Sequence, residues 1–140
     1  MDTFESFNPE ETYELAFKMA GDAKPGNIYL LYGDLGAGKT VFAKGFAAGL
    51  GIDEHVTSPT FAIVNIYNGK SSFFHFDLYR LEEPEELYNI GYEELIYADG
   101  VSLIEWPERA EHMLPDMAVK ITIGRDYEKG SSYRLITIEE

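Results

Sequence analysis

The sequence predicts an α/β fold, a mixed and mainly parallel sheet with antiparallel hairpin additions and helices on both faces. Three observations predict it. Ile28 to Tyr32 is a continuous apolar run suited to a strand buried on both faces. A glycine-rich turn, Gly33 to Gly38, joins that run directly to a segment with helical spacing. Asn68-Gly69 separates two strand-like runs and is a strong hairpin signal.

Taken in order, Asn8-Pro9-Glu10-Glu11 reads as a helix start, with Asn8 as N-cap, Pro9 in the first turn and early acids complementing the dipole. Tyr13, Phe17 and Ala20 supply the apolar stripe expected of that helix. Pro25-Gly26-Asn27 is a turn into the Ile28 to Tyr32 strand. Lys39 to Leu50 reads as a helix with Phe42, Phe46 and Leu50 on one face and Gly51 where a C-terminal cap belongs. Phe61 to Tyr67 and Ser72 to Phe76 are strand-like. Pro84, among Glu82, Glu83, Glu85 and Glu86, opens a short helix ending near Gly91. A helix N-terminus accounts for those acids better than a cation site does. Val101 to Glu105 is a further strand, and Val119 to Ile123 with Arg134 to Ile138 form a closing hairpin. No repeat or linker divides residues 1–140, so a single domain is expected.

Composition bounds the function. The hydrophobic fraction of 45% is that of a folded chain. The absence of cysteine removes disulfides, thiolate metal sites and cysteine nucleophiles. Asp2, Glu5, Glu10 and Glu11 give an N-terminus unlike a signal peptide, and no run approaches the ~20 apolar residues of a membrane helix. A cytoplasmic protein without membrane attachment is expected. With a net charge of −14 and 11 scattered basic residues, the chain lacks the clustered cations that grip nucleic acid.

The chemistry centres on Gly33-Asp34-Leu35-Gly36-Ala37-Gly38-Lys39-Thr40, which satisfies G-x-x-x-x-G-K-[ST] between a strand and a helix. The glycines let the loop curl so that backbone N–H groups point inward, and the helix N-terminus adds positive potential. Lys39 is expected to reach the β- and γ-phosphates of ATP, and Thr40 to place its hydroxyl on Mg²⁺. These are the marks of a P-loop NTPase fold. A second magnesium anchor and a water-positioning group are then needed, and Asp77 and Glu105 each end an apolar strand. A solvated strand end explains either acid alone equally well; the two together beside this motif favour function. Thr57-Ser58-Pro59-Thr60 is either a γ-phosphate-sensing switch or an ordinary loop. His75 reads more readily as packing than as a ligand, and Arg80 and Arg109 as charge stabilisers or surface groups.

Four segments in this order carry a resemblance: Gly33 to Thr40, Ser58-Pro59-Thr60, His75-Phe76-Asp77-Leu78-Tyr79-Arg80 and Ile104-Glu105-Trp106-Pro107-Glu108. Together they resemble the TsaE family, also called YjeE, the bacterial ATPases of tRNA threonylcarbamoyladenosine biosynthesis. The resemblance implies weak intrinsic ATP hydrolysis to ADP with Mg²⁺, and action with TsaB and TsaD, through which tRNA is reached only indirectly. It also implies roles for single residues. Ser58 and Thr60 resemble switch I, Thr40 and Glu105 the magnesium-anchoring pair, Asp77 the acid of a second switch-like motif, and Trp106 the tryptophan beside the nucleotide. Lys39, Asp77 and Glu105 are the expected catalytic set. A small-molecule phosphotransferase and a non-catalytic nucleotide-holding module are the competing readings.

Overall fold

Ile28–Tyr32 has no charged side chain and occupies the middle of a sheet, with a parallel neighbour on each side. The computed structural model describes residues 1–57, 59 and 63–140. Its strands are β1 (Asp2–Ser6), β2 (Ile28–Tyr32), β3 (Val64–Asn68), β4 (Ser72–Asp77), β5 (Gly100–Glu105), β6 (Val119–Gly124) and β7 (Arg134–Glu139). Its helices are α1 (Pro9–Gly21), α2 (Lys39–Gly49), α3 (Glu86–Asn89) and α4 (Tyr92–Ile96). The seven strands form one sheet in the order β1-β7-β6-β2-β5-β4-β3.

The four middle strands are parallel, while β7 on β6, β1 on β7 and β3 on β4 are antiparallel. The sheet is therefore evenly mixed rather than mainly parallel. The β3–β4 and β6–β7 hairpins, with β1 added on the edge of β7, give as many antiparallel pairings as there are parallel ones. Alternation along each strand splits the core into two layers. Tyr29, Leu31, Phe73, Leu103 and Ile121 face α1 and α2; Ile28, Leu30, Phe74, Phe76 and Ile104 face Leu87 of α3 and Tyr92 and Ile96 of α4. Helices thus cover both faces, as predicted.

Asn8 caps α1 by accepting from the Glu11 N–H at 2.9 Å. The inward stripe, however, is Thr12, Ala16 and Ala20, and Tyr13 and Phe17 are exposed. Close approach to α2 decides this. A Cβ on Gly45 or Gly49 would collide with the backbone carbonyl of Tyr13 or Phe17. At such a spacing only small side chains fit between the helices, so the large aromatics lean outward.

Phe42, Phe46 and Leu50 are buried as expected, and Gly51 takes a left-handed φ of 78° just beyond α2. The β3–β4 hairpin forms with Asn68 paired to Ser72, so its loop is Gly69-Lys70-Ser71. The start of the predicted Phe61 strand lies outside the described residues. Glu86 Oε2 accepts from the N–H groups of Glu82 and Glu83 at 2.9 Å each, which bears out the helix-start reading of the glutamate cluster. The helical region is divided at Gly91, φ 69°, into α3 and α4. β1 was not foreseen: Asp2–Ser6 has no apolar alternation, and it is a strand because it pairs with β7 along five residues.

Candidate functional site

The turn from β2 into α2 carries the glycine motif. Gly36 and Gly38 adopt φ of 77° and 106°, a region that side chains with a Cβ avoid. Ala37 between them is buried and anchors the loop in the core, while Asp34, Leu35, Gly36 and Thr40 are exposed. Sheet topology sets the loop at the carboxyl ends of the parallel strands, beside the ends of β4 and β5 where Asp77 and Glu105 lie opposite one another. Leu35, Gly36, Gly38, Lys39, Thr40, Val41, Asp77, Glu105 and Trp106 line a cleft of about 270 Å³. Loop, acids and tryptophan are thus brought together. Ser58 and Thr60 lie outside the described residues.

Lys39 is only 6% exposed, and its ammonium has no hydrogen-bond partner. It sits 3.4 Å from the centroid of the Trp106 ring. Burial pushes its pKa below the usual lysine value, opposed by the negative charges of Glu105, Glu108, Asp77 and Asp34. Trp106 is held by an unusual backbone: its φ of 56° is left-handed, alone among the described non-glycine residues. The Pro107–Arg109 turn follows it, and the Tyr79 ring packs against the indole at 4.9 Å between centroids.

Asp77 Oδ1 accepts the Tyr79 N–H at 3.0 Å. Burial raises its pKa, the Tyr79 bond opposes that, and the adjacent Glu105 charge reinforces it. Glu105 is 3% exposed, with Oε2 bonded to His75 Nε2 at 2.5 Å. A carboxylate only accepts, so His75 donates from Nε2, and its buried Nδ1 has no partner. His75 also stacks on Phe73, so the packing role read from the sequence holds. Its bond to the candidate acid was not foreseen. The signal was present in the alternation of the HFD segment, which puts His75 and Asp77 on one face of β4.

Replacing His75 with Leu should therefore lower stability by roughly 2–4 kcal/mol, because a buried carboxyl loses its donor. Urea unfolding checks this, and an unchanged midpoint would contradict the assigned bond. Arg125 and Arg134 were also missed as site residues. Both donate to carbonyls of the glycine loop from about ninety residues away in sequence, and no local pattern announces such a contact.

The family model described as threonylcarbamoyl adenosine biosynthesis protein TsaE matches residues 6–134. A tRNA threonylcarbamoyladenosine biosynthesis protein TsaE from Bacillus subtilis is 48% identical over 84% of this chain and 74% of its own length. A TsaE from Treponema pallidum is 46% identical over 70% of this chain and 73% of its own. The crystal structure of YdiB from Bacillus subtilis superposes with a TM-score of 0.80 at 40% identity, covering 98% of this chain and 83% of that one.

Proposed function

This chain belongs to the TsaE family of threonylcarbamoyl adenosine biosynthesis proteins, and on that premise we propose that it is a single-domain P-loop ATPase serving that tRNA modification. The observation that carries the ATP reading is the Lys39 ammonium, buried and without a hydrogen-bond partner in a glycine loop that faces two carboxyl groups. A desolvated cation without a partner is unfavourable, and a phosphate oxygen is the acceptor its position calls for.

The loop N–H groups and the α2 N-terminus bind the phosphates, Lys39 offsets β- and γ-phosphate charge, and Trp106 lies beside the nucleotide. The donor set fits Mg²⁺, which takes one or two carboxylates together with substrate oxygens and a hydroxyl. Thr40 and Glu105, with Asp77, would hold it. Among the described residues no three His, Cys, Asp or Glu side chains cluster as a metal cage, so substrate oxygens would complete the shell. Bound there, Mg²⁺ would supply charge stabilisation of the transferring phosphoryl group. Asp77, adjacent to Glu105 on the neighbouring strand, orients water, and Ser58 and Thr60 act as the γ-phosphate switch. TsaB and TsaD are the proposed partners, in the cytoplasm. Among the described residues no helix is long and apolar enough to cross a membrane.

Calorimetric titration with Mg-ATP tests the site, with saturable, Mg-dependent binding expected and no heat of binding contradicting it. Glu105→Gln keeps the shape and loses the charge, so it should weaken Mg-dependent binding or turnover by about ten-fold or more. Asp77→Asn should impair hydrolysis at least as much as affinity. Normal hydrolysis by both variants with the partners present would show the acids to be misassigned.

The isolated chain should not bind tRNA at physiological salt, given its charge of −14. Micromolar binding in a mobility-shift experiment would contradict that expectation and point to a basic face.

A further inference from the structure

Three successive carbonyls of the glycine loop, those of Leu35, Gly36 and Ala37, end on arginines. Arg134, the first residue of β7, donates from Nε to Ala37 O at 2.7 Å and from Nη2 to Gly36 O at 3.4 Å. Its Nη1 donates to Ser131 O and Tyr133 O, both at 2.7 Å, which fixes the guanidinium to its own turn. Arg125, just after β6, donates from Nη2 to Leu35 O at 3.3 Å, and a Cβ on Gly36 would collide with that nitrogen. The two arginines stand at opposite ends of the β6–β7 connection, so the connection grips the loop from both sides. Their N–H groups are directed at peptide oxygens of the loop, which makes their contribution one of shape.

We propose that Arg134, assisted by Arg125, is a positioning residue that holds Leu35 to Ala37 in the curled form a polyphosphate needs. The inference rests on the reading of Gly33 to Thr40 as a phosphate site and assigns the determinant of that site's shape. Arginine suits the task because its planar fork reaches several carbonyls at once, whereas a lysine offers one point charge. The coupling runs in both directions: phosphates that hold the loop curled also hold the 125–134 connection against it. Arg134 also borders a cavity of about 230 Å³ shared with Asn8, Gly38, Val41, Ser131 and Ser132, so a direct contact to a nucleoside is the alternative that an experiment must separate.

The experiment is calorimetric titration of the wild-type chain, Arg134→Lys and Arg134→Ala with Mg-ATP and, separately, with inorganic tripolyphosphate and Mg²⁺, alongside thermal unfolding without ligand. Arg134→Lys should remain folded, with an unliganded unfolding temperature close to wild type, and should lose about ten-fold or more in affinity for both ligands alike. Arg134→Ala should lose at least as much. Wild-type affinity in Arg134→Lys would overturn the proposal by showing that charge alone suffices. A loss confined to ATP would overturn it in favour of a nucleoside contact. Failure of the wild-type chain to bind either ligand would overturn the phosphate-site reading itself, a result distinct from either of these.

Discussion

Replacing Lys39 with Ala is expected to remove tight ATP binding while leaving the chain folded. The Lys39 ammonium is buried, has no hydrogen bond and is stabilised by the Trp106 face and by nearby acids. It lines the cleft, so its loss enlarges a space that already exists. With nucleotide bound, the same group becomes half of a desolvated charge pair. Removing one partner of such a pair costs about 2–5 kcal/mol, or roughly 30-fold to several thousand-fold in Kd. Calorimetry together with a thermal melt checks both halves of the expectation. Unchanged affinity in a folded variant would remove Lys39 from the site.

The centre of this fold was legible because its signals are local. Ile28 to Tyr32 has the composition of a doubly covered strand, and the glycine motif fixes the turn that follows it. Asn8 names the start of α1 through its own side chain. The failures share a cause, which is that distant parts of the chain decided them. Nothing within Asp2–Ser6 marks a strand; the free edge of β7 makes it one. Tyr13 and Phe17 form a plausible stripe in isolation, yet Gly45 and Gly49 bring α2 so close that Ala16 and Ala20 must face inward instead.

The candidate site divides in the same way. Lys39, Thr40, Asp77, Glu105 and Trp106 were readable from a motif and from strand ends, and the structure gathers them around one cleft. The side chains that support them were not readable. His75 reaches Glu105 on the neighbouring strand, thirty residues on, and Arg134 reaches Ala37 across ninety-seven residues. Contacts of that kind depend on sheet order, which no local pattern in a single sequence discloses.

The second large effect expected is stimulation by partners. Among the described residues lining the cleft, Lys39 is the only cation, set against Asp77 and Glu105. Arg125 and Arg134 donate to carbonyls of the loop, and no arginine stands in Gly33 to Thr40 or in Thr57 to Thr60. Beyond Lys39, no described residue lining the cleft offers a second cation for the charge building on the transferring phosphoryl. In P-loop enzymes a supplied arginine or a newly ordered switch is worth roughly 10³–10⁵ in rate. Docking of the proposed partners, TsaB and TsaD, would supply such a cation or the equivalent charge stabilisation at the γ-phosphate.

Steady-state phosphate release at fixed enzyme, titrated with the purified TsaB–TsaD pair, measures that directly. The expected result is a slow basal rate that climbs to a plateau as the pair saturates the enzyme, and that is lost in Lys39→Ala. A fast basal rate, unchanged at every concentration of the pair, would contradict it.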